Sequence, residues 1–283
     1  MPRAFRHFLD AIKFEHTVFA LPFAYVAMVL AADGWPGWRV VVWVTLAMTG
    51  ARTLAMSVNR LADRLIDAAN PRTAQRHLPT GLLAPWHMLL AAVASGALLA
   101  LAGWMLNPLC LKLAPWAALF LIGYSYTKRF TWTSHWILGF TDGIAAAGGW
   151  IAVSGVFAPP TFVLWFALTV WIAGFDLIYA CQDVDFDRRA GLHSFPARFG
   201  IAPTLHAAKA CHVLTVVAFG ALGWTMGLGW LYWAGVVVVA GLFVYEHSLV
   251  SPTDLSRLDV AFFNVNGYIA LILFAAVLGG RLL

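Results

Sequence analysis

Long apolar runs, broken at intervals by short polar stretches, dominate the pattern of the chain. A helix needs about 20 predominantly apolar residues to cross the hydrocarbon core of a bilayer. Runs of that kind lie at 17–33, 38–59, 83–105, 108–126, 134–155, 160–180, 204–223, 228–247 and 260–280. The polar connections alternate in length. Those at 60–82, 127–133, 181–203 and 248–259 are longer or charged, and those at 34–37, 106–107, 156–159 and 224–227 are short. The pattern predicts one all-α integral membrane domain over 1–283, with about nine transmembrane helices. Residues 1–15 carry Arg3, Arg6, Asp10 and Glu15 among apolar positions and have no small-residue cleavage site, so they read as an amphipathic helix lying at the interface.

Composition supports this picture. Of 283 residues, 61% are hydrophobic and 11% charged, too little charge to cover a water-soluble protein of this size. The net charge of +5 is better explained by its placement than by nucleic-acid binding, which is not expected. Thirteen of the 18 basic residues fall on one side of the predicted bundle: Arg3, Arg6, Lys13, Arg60, Arg64, Arg72, Arg76, Lys128, Arg129, Arg188, Arg189, Arg198 and Arg257. Arg39, Lys112 and Arg281 fall on the other. The positive-inside rule then puts the N-terminus in the cytoplasm, and an odd number of spans puts the C-terminus outside. Cys110, Cys181 and Cys211 form no C-x-x-C pair, and the nine histidines form no metal-binding motif in sequence.

The acidic residues carry the candidate chemistry. Five of only 13 lie in two short segments at the cytoplasmic ends of spans 2 and 6. In the first, Asn59, Asp63 and Asp67 recur every four residues and line one helix face. In the second, Asp183 and Asp187 repeat that spacing, and Tyr179 and Asp176 extend the stripe backwards, while Asp185 points elsewhere. Carboxylates one turn apart repel, and near a membrane a cation relieves the cost. Oxygen ligands without His or Cys select Mg²⁺, and two such sites face to face would hold a diphosphate. Arg72, Arg76, Lys128 and Arg129 follow close by and suit the charge of a departing diphosphate. Arg52 lies inside span 2 on the face of Asn59 and Asp63. An intramembrane Arg faces a cavity or a partner, either Asp142 or Asp176 in an ion pair, or the carboxylate of an acceptor substrate.

Three ordered motifs, Asn59/Asp63/Asp67, Tyr124/Lys128/Arg129 and Asp183/Asp187, resemble those of the UbiA-type membrane prenyltransferases. Arg72-Thr73 and Arg76 with Leu78-Pro79 and Gly81 resemble the quinone-pathway aromatic enzymes of that family. Phe14-Glu15-His16-Thr17 through Tyr25 looks closest to the bacterial menaquinone branch. The resemblance implies a central cavity open to the cytoplasmic side and a bacterial inner (plasma) membrane setting. It implies Mg²⁺ held by Asn59, Asp63, Asp67, Asp183 and Asp187, with Arg72, Lys128, Tyr124, Tyr179 and Asn59 on a polyprenyl diphosphate. Loss of diphosphate would leave an allylic cation, which the ring of a hydroxylated aromatic acid attacks before losing a proton. The sequence departs from the family at Arg60, where many relatives carry an acid, and at Asp142, in a segment they usually keep apolar. Intramembrane Asp142, Asp176 and Arg52 keep a transporter or channel in view. A CDP-alcohol phosphotransferase would need a D-G-x-x-A-R run, which is absent.

Overall fold

A computed structural model describes residues 3–12 and 17–282. Lys13, Glu15 and most of the Phe14–Thr17 motif lie outside the described residues. The described chain is helical, with no named strand. Helix α1 spans Arg3–Ala11, α2 Thr17–Ala32, α3 Trp38–Ala69, α4 Pro85–Leu106, α5 Pro108–Thr127, α6 Ser134–Ser154 and α7 Pro159–Ala180. The short helices α8 (Val184–Arg189) and α9 (Phe195–Phe199) precede α10 (Ile201–Met226), α11 (Trp230–Ser248) and α12 (Asn266–Leu282). Eight helical segments among the described residues are long and apolar enough to cross a membrane. The remaining predicted span is α2, a shorter helix whose described apolar part is Leu21–Ala32.

Prolines and Asn107 explain several boundaries. Pro85, Pro108 and Pro159 occupy first-turn positions, where a missing N–H costs nothing. Asn107 caps α5 by accepting from the N–H groups of Leu109 and Cys110, and its amide donates to the Ile151 carbonyl at 2.8 Å. The largest departure from the predicted spans is α3. The span was expected to end near residue 59; the helix runs on to Ala69 and carries Asn59, Asp63 and Asp67 on one face, as their spacing predicted. In that polar third Arg60, Asp63 and Asp67 each meet a partner, and Arg64 is exposed.

The helices pack in a closed circuit. α3 lies against α4 and α5, α6 against α2, α5 and α7, α7 against α10, and α12 against α11 and α2. Small residues permit the closest approaches, as membrane helix packing favours. A Cβ added at Gly139 would run into the Thr169 carbonyl of α7, and one at Gly149 into the Ala24 carbonyl of α2. A buried polar chain ties the second half together. Trp171 donates to Asn266 Oδ1 (2.8 Å) and Asn266 Nδ2 donates to Glu246 Oε1 (3.0 Å). The same amide also reaches the carbonyls of Ala261 and Phe262, both at 3.1 Å. Those carbonyls belong to a π-helical turn, Val260–Val265, that opens into α12.

The close approach at Gly139 gives a stability prediction. Gly139→Ala should lower the thermal unfolding temperature in detergent by several degrees, since forcing a methyl into a packed contact costs about 1–3 kcal/mol. Gly96→Ala, where an added Cβ meets nothing within 4 Å, should be neutral or slightly stabilising. Equal unfolding temperatures for the two variants would show that the α6–α7 seam is loose.

Candidate active site

The extended end of α3 carries the first carboxylate face. Asp63 and Asp67 are buried, with side chains 3% and 7% exposed, and each is matched by a cation. Lys128, at the C-terminus of α5, donates to Asp63 Oδ2 at 2.5 Å. Arg129 reaches Asp63 Oδ1 at 3.3 Å and the Ala62 carbonyl at 2.5 Å. Arg76 pairs with Asp67 Oδ1 at 2.7 Å. The amide of Asn59 lies 3.4 Å from Asp63 Oδ2, so the predicted i, i+4 face is present.

The second carboxylate segment differs from its expected form. A single helical stripe through Asp176, Tyr179, Asp183 and Asp187 was predicted, but α7 ends at Ala180 and Cys181–Asp183 forms a 3₁₀ turn before α8. The tighter winding, three residues per turn, takes the residues out of register. Asp176 leaves the stripe and bonds His135 Nδ1 at 2.6 Å. Tyr179 and Asp183 stay together because both meet Arg72, which grips Asp183 with two bonds (2.9 and 2.5 Å) and the Tyr179 hydroxyl with a third (3.1 Å). Asp187 lies against Ser194, within electrostatic range of Asp183 and Lys128. Asp185 is exposed, as expected.

Arg72 thus joins the segment after α3 to the end of α7. Burial works against its charge, but the bonds to Asp183 and Tyr179 outweigh burial and lift its pKa above the ordinary value. Asn70 is a residue that sequence reasoning missed. Its Nδ2 donates to Asp183 Oδ1 at 3.0 Å, and its Oδ1 accepts from the Arg72 N–H at 3.0 Å. Asn70 follows the last residue of α3, and an Asn-Pro pair at a helix end is a turn signal, but its reach across 113 positions left no trace in sequence. Phe262 was also missed. Its ring lies 4.1 Å from that of Tyr179, set there by the π turn.

The two unusual residues find different roles. Arg60 is buried and donates from Nε to the Ala11 carbonyl at 2.9 Å, so it anchors α1 and is no ligand. Asp142 lines a cavity of about 1270 Å³, part of it open to the exterior, beneath the carboxylate layer. Arg52 lines the same cavity, and its buried Nε has no hydrogen-bond partner. Among the described residues, no ion pair joins Arg52 to Asp142 or Asp176. Trp116, Phe120 and Trp165 supply aromatic walls. Tyr124, one turn before Lys128 on α5, lies in the electrostatic neighbourhood of Arg52 and Asp142, not among the carboxylates. The site therefore has two storeys: a charged layer, and a largely apolar chamber lined by Arg52 and Asp142, which lie in electrostatic reach of each other. The donors of the upper layer, Asp63, Asp67, Asp183, Asp187 and Asn59, are all hard and suit Mg²⁺.

Known proteins resemble this chain in sequence and fold. A profile of the UbiA prenyltransferase family matches residues 20–272. A 4-hydroxybenzoate octaprenyltransferase of Saccharophagus degradans is 30% identical over 255 residues, 90% of this chain and 84% of that protein. The apo structure of a UbiA homolog from Aeropyrum pernix superposes with a TM-score of 0.86 at 31% identity, covering 94% of this chain and 98% of that one. A UbiA homolog from Archaeoglobus fulgidus bound to GPP and Mg²⁺ shares the fold, with a TM-score of 0.69 at 18% identity, covering 96% and 99%. The chain belongs to the UbiA prenyltransferase family and is an integral membrane enzyme that transfers prenyl groups.

Proposed function

We propose that the enzyme transfers a polyprenyl group from its diphosphate to the ring of a hydroxylated aromatic acid, of the 4-hydroxybenzoate or dihydroxynaphthoate type, for quinone biosynthesis. The observation that carries this reading is the stacking of the two storeys: cation-paired carboxylates above, and below them a largely apolar, aromatic chamber lined by Arg52, whose buried Nε has no hydrogen-bond partner. The S. degradans relative, a 4-hydroxybenzoate octaprenyltransferase, supports the 4-hydroxybenzoate choice.

Asp63, Asp67, Asp183 and Asp187, with Asn59, would hold Mg²⁺ on a diphosphate, as the ligands of the A. fulgidus homolog suggest. When bound, Mg²⁺ supplies positive charge that stabilises the leaving diphosphate. The protein's own cations are already in place for the same task. Arg72 and Lys128 are held by Asp183 and Asp63, and would be free to bond phosphate oxygens were those carboxylates to hold a metal. Tyr179 accepts a bond from Arg72 and keeps its guanidinium aimed at the layer. The apolar chamber excludes water from the allylic carbon, so that the aromatic ring, and not water, captures it. Arg52 orients that ring by pairing with its carboxylate.

Replacement of Asp63 or Asp183 by Asn should lower turnover by on the order of 10²–10³-fold with the protein still folded. EDTA should stop the reaction and Mg²⁺ restore it. Wild-type rates in both variants, measured with labelled prenyl diphosphate and a panel of aromatic acids, would refute the metal assignment.

Arg52→Ala should raise the acceptor KM by on the order of 100-fold or more, the loss of a desolvated charge-assisted pair, while barely moving that of the prenyl diphosphate. Arg52→Lys should rescue in part, because it lacks the planar fork. Equal losses for both substrates would make Arg52 a structural residue.

The thirteen-to-three distribution of basic residues supports a bacterial inner membrane setting with the N-terminus and the carboxylate layer cytoplasmic. A Gln75→Cys variant, with Cys110, Cys181 and Cys211 replaced, should react with a membrane-impermeant thiol reagent only after the cells are broken. Labelling of intact cells would invert the topology.

A further inference from the structure

Three side chains that no part of the reaction uses converge beside the charged layer. His7 and Asp10 lie three residues apart on α1 and so share a face of that helix. His77, in the segment between α3 and α4, comes up against it. One ligand atom from each of the three lies within 4.8 Å of the other two, and the two imidazole rings are 5.4 Å apart, centroid to centroid. His7 and His77 are half-buried, and Asp10 is exposed.

We propose that His7, Asp10 and His77 bind a transition-metal ion of the zinc class, which fastens α1 to the segment following α3. Two imidazole nitrogens and one carboxylate oxygen suit Zn²⁺ and its neighbours, not Mg²⁺. At Zn–N and Zn–O lengths of about 2.0–2.2 Å, tetrahedral ligands stand about 3.4 Å apart. The trio therefore needs to close by about 1.4 Å at most, a distance that side-chain rotation supplies, and the fourth position remains for water.

The backbone that presents these ligands is already fixed. Ala11 and Ile12, at the end of α1, are buried against Leu83 and Met88, and Arg60 bonds the Ala11 carbonyl. The His77 carbonyl in turn accepts from the Leu83 N–H at 3.0 Å. Little ordering remains to oppose binding, so most of the coordination energy appears as affinity. His77 directly follows Arg76, which pairs with Asp67, and lies five residues beyond Arg72. An ion here would steady the segment that carries both arginines while leaving the carboxylates to their own metal.

The test uses the full-length protein in detergent with millimolar Mg²⁺ present, so that the hard oxygen sites are supplied. Titration with Zn²⁺ against a chromophoric chelator should show one tight equivalent per chain, and Co²⁺ should give the visible absorption of a low-coordinate site. His7→Gln and His77→Gln should each weaken Zn²⁺ binding on the order of 100-fold, and Asp10→Asn about tenfold. Asp63→Asn should leave it unchanged. Thermal unfolding in EDTA, compared for wild type and the His7, Asp10 and His77 variants, corrects for any loss of fold, and Zn²⁺ should raise the unfolding temperature of the wild type by several degrees and that of the His7→Gln/His77→Gln double variant by none. Zn²⁺ binding that is absent from the wild type, or equally tight in the His7→Gln/His77→Gln double variant, would overturn the proposal. The second result would place the ion elsewhere, for instance at the buried His212 and the half-buried His247.

Discussion

A carboxylate at the end of a membrane helix is tolerated only if a cation meets it, and that requirement organises the upper half of this protein. Asp63 and Asp67 are nearly inaccessible, and an unpaired charge so placed would either protonate or unfold its surroundings. Their partners come from different parts of the chain: Lys128 and Arg129 from the end of α5, Arg76 from the turn-rich segment after α3. Asp183 extends the same logic to α7 through Arg72 and Asn70. The ends of α3, α5 and α7 are thus held together by these ion pairs. Closing the fold and ordering the charged layer are one set of interactions, and under the function proposed above a metal and a diphosphate would exchange partners within a layer whose carboxylates are already paired.

The lower half obeys a different constraint. Lipid gives no hydrophobic drive for helices to associate, so close backbone contact and hydrogen bonds must hold them. Gly139 and Gly149 provide the contact on the α7 and α2 sides of α6. The Trp171–Asn266–Glu246 chain provides the bonds between α7, α11 and the start of α12. The chamber lies on the other side of that scaffold, lined by residues of α3 to α7.

Features written in local spacing were legible from the sequence. The spans follow from apolar run length, and the Asn59/Asp63/Asp67 face follows from a repeat of four on a helix. Arg52 stood out as a charge within an apolar run, and the chamber justifies that attention. Features set by distant partners were not legible. The pairing of Asp63 with Lys128 and Arg129, more than sixty positions away, is one of them. The 3₁₀ turn at Cys181–Asp183 breaks the predicted stripe, and Asp176 pairs with His135, a contact no local rule announces. Glu246 and Asn266 read as stray polar residues in apolar runs until the fold brings them together. Arg60 was recognised as a departure from family pattern, but its partner is a backbone carbonyl on α1, which carries no sequence signature.

The continuity of α3 has a consequence for how such an enzyme can vary. Arg52 and Asp63 sit on one unbroken helix, eleven residues and about 16 Å of rise apart. Surface loops absorb extra residues at little cost, but this interval does not. Inserting or deleting one residue within it would swing Arg52 about 100° around the helix axis and shift its depth, taking the guanidinium out of the chamber while the carboxylates stayed in place. Descendants of this chain can therefore lengthen or trim the segments between helices, but between Arg52 and Asp63 they are confined to substitution.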